Sequence, residues 1–146
     1  RFVMAGSGDK MAEMIDLVAK RGIADKFHFP GFMRGKQVQE MLAMSDVYIM
    51  PSVSEPFGIS PLEAMQVGCP SIISHQSGCA EILQHAIKTD YWDIDAMADA
   101  IYAIVKYPAM YKSLHELGMA EVNNIKWSDA GLKVRRIYDG VINHTL

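Results

Sequence analysis

The chain has 146 residues, half of them hydrophobic and 21% charged, with a formal net charge of −3; this is the length of one globular domain with enough apolar mass for a real core. The slightly acidic balance offers no basic surface for nucleic acid or anionic lipid, and no apolar run approaches the roughly 18 residues of a membrane-spanning helix. No signal-peptide pattern is present, and the chain enters a strand directly at Arg1, which reads as a piece of a longer protein. Cys69 and Cys79 read as two reduced thiols of an intracellular protein rather than a disulfide, and the five histidines (His28, His75, His85, His115 and His144) form no ligand spacing, so no metal site is expected.

Arg1 to Ala5 reads as a strand, Gly6-Ser7-Gly8 as a turn, and Asp9 as the cap of a helix whose Met11, Met14, Ile15 and Val18 predict one buried face before Gly22 closes it. This strand–turn–helix unit is not a dinucleotide fingerprint, because the third glycine position is Met11. Gly35-Lys36 is followed by Gln37, so it is not a Walker A loop either. Gly6 and Gly8 read as a tight turn, with the wall of a cleft as the second reading. Lys26 to Phe29 is a second strand, ended by Pro30 and Gly31; Phe32, Met33 and Arg34 open the following loop, and Val38, Met41, Leu42 and Ser45 mark one face of a helix.

The stretch from Pro51 to Ser74, PSVSEPFGISPLEAMQVGCPSIIS, organises the chain. It follows the strand-forming run Val47 to Met50 and holds a polar loop with Glu55, Phe57 and Gly58. Ser60, Pro61 and Glu63 stand in the order of N-cap, first-turn proline and capping-box acid. Gly68 and Pro70 then end that helix, and Ser71 to Ser74 is a strand. A loop at the carboxyl end of a strand in an open α/β sheet is where ligands bind. Backbone N–H groups of Gly58, Ile59 and Ser60 at a helix start favour an anion such as phosphate, and two carboxylates, Glu55 and Glu63, accept hydrogen bonds from hydroxyls. The bland reading stays open beside this one: a capping box for Glu63 and an ordinary turn for Gly58.

Downstream, His75 to Ala80 is a loop in which Gly78 permits a turn. Glu81 begins a short helix through Leu83, and His85 to Lys88 is a fifth strand. Asp93 caps a helix with a buried stripe of Met97, Ile101, Ile104 and Val105; Pro108 breaks it; residues 109–122 form another helix, and Ser128 caps the last, with Leu132, Ile137 and Tyr138 apolar. The eleven methionines read as core filling on buried stripes. Alternating strands and helices predict a parallel, doubly wound, Rossmann-like α/β sheet with a helical tail.

The motif Glu55-x7-Glu63 within PSVSEPFGISPLEAMQVGCPSI resembles the signature of retaining GT-B glycosyltransferases of the large family 4 type. Four flanks agree in order: Val3 to Gly8, Phe27 to Gly31, Ser45-Asp46-Val47, and Ser77 to Ile82. The resemblance covers the whole chain and implies that residues 1–146 are a partial C-terminal, nucleotide-sugar-binding domain, without its first strand, with the N-terminal acceptor domain absent. It implies Glu55 as the catalytic residue on the donor sugar's hydroxyls, and Glu63 on the ribose. The amides of Phe57, Gly58 and Ile59 would hold the distal phosphate, with Phe32 and Met33 beside the base and Gly6 and Gly8 in the donor site. It further implies retention of configuration, no cofactor or metal, and a nucleotide-diphospho-sugar donor, by default a UDP-sugar. The acceptor would be bound by the absent domain, with no nucleic-acid partner, a cytoplasmic location, and membrane contact only through absent segments. The Arg and Lys that hold the diphosphate in this family would lie upstream of Arg1, so the chain alone is expected to be inactive. An α-glucan synthase of the glycogen synthase type, a nucleotide-sugar epimerase and a non-catalytic module of the same fold are the alternatives.

Overall fold

Parallel pairing dominates the computed structural model, which describes residues 1–143; His144 lies outside the described residues. In chain order the elements are β1 (Phe2–Ala5), α1 (Met11–Lys20), β2 (Phe27–Gly31), α2 (Lys36–Ala43), β3 (Tyr48–Met50), α3 (Ser60–Gln66), β4 (Ser71–Ser74), β5 (Ile87–Thr89), α4 (Ile94–Lys106), α5 (Pro108–Asn123) and α6 (Trp127–Ile142). The chain divides into two compact units, Arg1–Met41 and the part from Leu42 onward. β1 pairs with β2 in the first unit, and the order β3-β4-β5 forms the sheet of the second, every pair parallel. The single sheet read from the sequence is thus two parallel sheets among the described residues. Alternation of strands and helices dictates parallel pairing, but it does not say which strands become neighbours. No described helix is long and apolar enough to cross a membrane.

The second unit carries the core. All four residues of β4 are buried, as expected for a parallel strand covered on both faces. Met65, Ile72, Ile73 and Leu83 are essentially inaccessible to solvent. Two serines share this buried strand, and each finds a partner, as buried hydroxyls require. Ser71 Oγ donates to the Pro61 carbonyl at 3.4 Å, and Ser74 Oγ to the Ser52 carbonyl at 2.6 Å. Since the Ser74 proton is used there, the 2.9 Å contact with Ser77 Oγ has Ser77 as donor. The strand therefore anchors the loop after β3 by its side chains. Cys69 and Cys79 are free and buried. Burial, helped by nearby Asp46, pushes the Cys69 thiol up to about 12.

Several local expectations change. Asp9 does not cap α1: Lys10 holds that position without a side-chain bond. Ser60 is the first residue of α3 rather than its cap, because Ile59 already adopts helical φ and ψ; no capping box forms. Ser128 likewise lies inside α6, whose cap position is Lys126. Asp93 does cap α4, its Oδ1 accepting from Ala96 N at 2.9 Å. The turn at Gly78–Glu81 is a 3-10 helix, not a helix from Glu81 to Leu83. β5 begins at Ile87 rather than His85 because Glu121 of α5 takes the amides of Gln84 and His85 at 2.7 and 2.9 Å, and the His85 ring as well. In the first unit Val18 is buried but Ile15 is 46% exposed; a unit of this size has too little chain to cover both sides of a helix. Val105 of α4 is exposed, and of the methionines Met50 and Met65 enter the core while Met44 is exposed.

Gly22 and Gly68 end α1 and α3 as expected, at φ +67° and +82°. At each end the amides of the glycine and its successor bond back to carbonyls of the last turn. Gly68 carries a second constraint: His115 Nδ1 of α5 donates to its carbonyl at 2.6 Å, and a Cβ there would run into the His115 ring, whereas a Cβ on Gly22 meets nothing within 4 Å. Gly68→Ala is therefore expected to destabilise the protein by about 1–3 kcal/mol, and Gly22→Ala by less. Denaturant unfolding of both variants checks this; equal losses would refute the ring contact.

Candidate ligand-binding site

The loop after β3 is held by backbone, not by its own side chains. A lone parallel bridge pairs Glu55 with Ser77, Gly78 N donates to Glu55 O at 2.9 Å, and Cys79 N donates to Phe57 O at 2.6 Å. The two segments lie so close that a Cβ on Gly78 would overlap the Pro56 carbonyl oxygen. Gly78 is thus needed for the close approach of two segments of the chain rather than for a turn. Gly58 is buried at φ +87°, and a Cβ on it would come within 2.8 Å of Met50 Cε and 3.2 Å of Glu55 Cγ. The loop is pinned at the carboxyl ends of β3 and β4 and turns into α3 over Met50.

A cavity of ≈ 780 Å³ opens against this loop, lined by residues Glu55 to Ser60, by Glu63 of α3 and by Trp127 of α6. Five of the residues singled out in the sequence, Glu55, Phe57, Gly58, Ile59 and Glu63, meet there. Glu55 is half-buried, and its Oε1 accepts from the Phe57 amide at 3.4 Å. That contact changes the expectation for Phe57, whose amide already faces a carboxylate. The amides of Gly58 and Ile59 have no partner among the described residues. Glu63 is exposed, and its carboxylate makes no hydrogen bond or ion pair among the described residues; with the capping box absent, it has no structural duty.

The Ser60 hydroxyl, released from capping, accepts from Tyr48 Oη of β3 at 2.8 Å. Burial raises the Tyr48 phenol above its ordinary value of 10. The Ser60 hydrogen bond opposes this, while Cys79, Glu63 and Glu55 add to the rise. Tyr48 therefore stays protonated and donates to Ser60, which lines the cavity. The cavity lining includes two carboxylates and no Lys or Arg. Such a lining accepts hydrogen bonds from a polyhydroxyl ligand and offers unpaired amides, but no cation, to an anion. Among the described residues no three His, Cys, Asp or Glu side chains gather as metal ligands.

The other four residues do not line this cavity; they lie in the first unit, at the carboxyl ends of the neighbouring strands β1 and β2. Gly6, at φ +137°, donates its amide to Gly31 O at 2.8 Å, and Gly8 O accepts from Met11 N at 3.2 Å. Phe32 is exposed with the Arg34 guanidinium 5.0 Å from its ring centre, and Met33 is half-buried. The sequence reading missed one residue of the cavity lining, Trp127, and the Tyr48 that donates to the lining residue Ser60. Tyr48 was visible only as a strand former, although strand alternation puts it on the same side of β3 as Met50. Trp127 was visible only as the start of a helix, and no spacing ties it to the loop.

The pattern that describes the family Glycosyl transferases group 1 matches residues 1–119. Over 87 residues, 60% of the chain and 22% of the relative, the chain is 40% identical to an uncharacterized glycosyltransferase of Methanocaldococcus jannaschii. Among solved structures it resembles the sucrose-phosphate synthase of Thermosynechococcus elongatus, with TM-score 0.81 and 25% identity over 97% of the chain and 38% of that structure. It also resembles HepE of Anabaena, solved in complex with UDP and glucose, with TM-score 0.83 and 17% identity over 94% of the chain and 40% of that structure. The Rossmann-like α/β fold expected from the sequence is the fold it shares with both. The chain thus spans from about a fifth to two fifths of the length of these proteins. With the family pattern running from β1 into α5, the chain belongs to the glycosyl transferases group 1 family.

Proposed function

We propose that the chain is the donor-binding domain of a longer glycosyltransferase that moves a sugar from a nucleotide-diphospho-sugar, a UDP-sugar foremost, to an acceptor held by a further N-terminal domain. The observation that carries this reading is the meeting of Glu55 and Glu63 in one cavity beside the unpaired amides of Gly58 and Ile59. The UDP and glucose bound in HepE, a protein of the same fold, support the donor class. In this reading Glu55 takes the hydroxyls of the donor sugar and Glu63 those of the ribose. The amides of Gly58 and Ile59 face the distal phosphate, with the Phe57 amide shared with Glu55.

Chemically, the bond between the anomeric carbon and the phosphate oxygen breaks as the acceptor oxygen attacks, and the nucleoside diphosphate leaves. Charge building on that leaving group is the electrostatic task of the site. The loop supplies neutral donors. The cations, absent from the cavity lining, come in this proposal from basic residues outside the chain. The resemblance of the motif around the two glutamates further supports retention of configuration and metal independence, and the free thiols of Cys69 and Cys79 support work in the cytoplasm.

The complete protein tests each role. Glu55→Gln keeps size and hydrogen-bonding capacity but removes charge, and is expected to lower kcat/KM at least about tenfold, or about 1.4 kcal/mol, with Tm nearly unchanged. A variant as active as the parent would refute the sugar-binding role. Glu63→Ala is expected to raise the donor KM and weaken nucleotide binding while stability stays within about 0.5 kcal/mol, because no capping box is lost; donor-saturation kinetics and thermal melts read both. Activity is expected to survive EDTA, and a loss restored by Mg²⁺ or Mn²⁺ would overturn the metal-independent reading.

A further inference from the structure

Trp127 has no structural employment in the described chain. Its side chain is 78% exposed, and its indole N–H has no hydrogen-bond partner among the described residues. The other tryptophan, Trp92, packs edge-on against Tyr91 at 4.8 Å, but no such ring partner meets Trp127. It opens α6 without capping it, and no residue of α6 is buried. An indole offers a large rigid apolar face, and leaving one in water at the mouth of a cavity is costly unless something covers it. The cavity it borders holds the two carboxylates and the apolar side chains of Phe57 and Ile59.

That combination has a specific chemical complement. A hexopyranose ring presents C–H bonds on its faces and hydroxyls around its edge. An aromatic plane suits the face, and carboxylates suit the hydroxyls, which donate to them. A nucleobase also stacks, but it leaves the acceptor-rich edge of the site without hydroxyl partners. Resting on the donor-site reading above, we infer that Trp127 is the sugar-stacking wall of the cavity, covering one face of the donor's hexose ring while Glu55 takes its hydroxyls. The residue sets affinity for the sugar portion of the ligand and leaves the nucleotide portion to the loop. The competing occupant is a protein surface laid over the apolar stripe of α6, where Val134, Ile137 and Val141 are exposed as well.

The chain has two tryptophans, so in the complete protein the signal of Trp127 is read as the difference in emission between the parent and Trp127→Phe. Its emission is followed during titration with UDP-glucose, GDP-mannose and ADP-glucose, and with the corresponding nucleoside diphosphates, while calorimetry reports binding independently. The expected result is a solvent-exposed emission that shifts or quenches with a sugar nucleotide and changes little with its diphosphate. Trp127→Ala is expected to raise the Kd for that sugar nucleotide about fivefold or more and to change the Kd for the diphosphate by less than about twofold, with Trp127→Phe restoring most of the loss. An equal response to the diphosphate places the base on the indole and overturns the proposal. So does an emission already buried before ligand and indifferent to it, which assigns Trp127 to a protein surface. Calorimetric binding of sugar nucleotide without any Trp127 response overturns this inference and leaves the donor-site reading standing. No binding of any of the three overturns both.

Discussion

The contact on which the site depends is backbone against backbone. Residues 55–57 lie along residues 77–79 through the bridge of Glu55 with Ser77 and the bonds from Gly78 N and Cys79 N. Only a residue without Cβ fits at position 78, since the Pro56 carbonyl occupies that space. Peptide bonds are rigid and their hydrogen bonds directional, so such a clamp holds a loop more closely than side-chain packing does. Behind the clamp stands β4. It is buried along its length, and its Ser74 reaches the Ser52 carbonyl and so ties the start of the loop as the clamp ties its end. The two glutamates inherit their placement from this scaffold.

The second constraint is electrostatic. The cavity lining brings two carboxylates together without a lysine or arginine. Hydroxyl donors on a ligand satisfy such a surface, and so do neutral donors of the protein. One neutral donor of the protein does so, the Phe57 amide on Glu55, while the Tyr48 phenol, its pKa raised by burial, gives its hydrogen to Ser60 of the lining. Ser60 would otherwise have capped α3, and Glu63 would have answered it. Because the helix begins one residue early, at a cap position filled by Ile59, both side chains are released from helix duty. The same one-residue shift that spoils a capping box thus frees a carboxylate for the cavity.

The middle of the described chain buries far more than its two ends. The sheet of the second unit is covered, and its strand β4 has no accessible side chain. Helix α6 has a buried residue nowhere, and strand β1 is exposed along its length. Sequence periodicity treats these segments alike, because an amphipathic stripe records a face that needs covering, not the partner that covers it. This explains why the buried faces expected for α1 and α4 came out incomplete at Ile15 and Val105.

What the sequence determined by itself is whatever local chemistry decides: parallel α/β alternation, helix ends at Gly22 and Gly68 where positive φ favours glycine, the cap at Asp93, and the loop carrying Glu55 and Glu63 at a strand's carboxyl end. Its family motif resemblance is matched by the family pattern over residues 1–119. Tertiary structure alone decided whatever depends on contacts between distant segments. Strand pairing split one expected sheet into two. Glu121 delayed β5 by taking the amides of Gln84 and His85. Gly78 owes its place to Pro56 rather than to a turn, and Trp127 reaches the cavity from a helix that no motif links to it. A residue's φ and its helical phase are set by its neighbours in sequence, whereas which surfaces meet is set by packing the whole chain, and no window of residues contains that information.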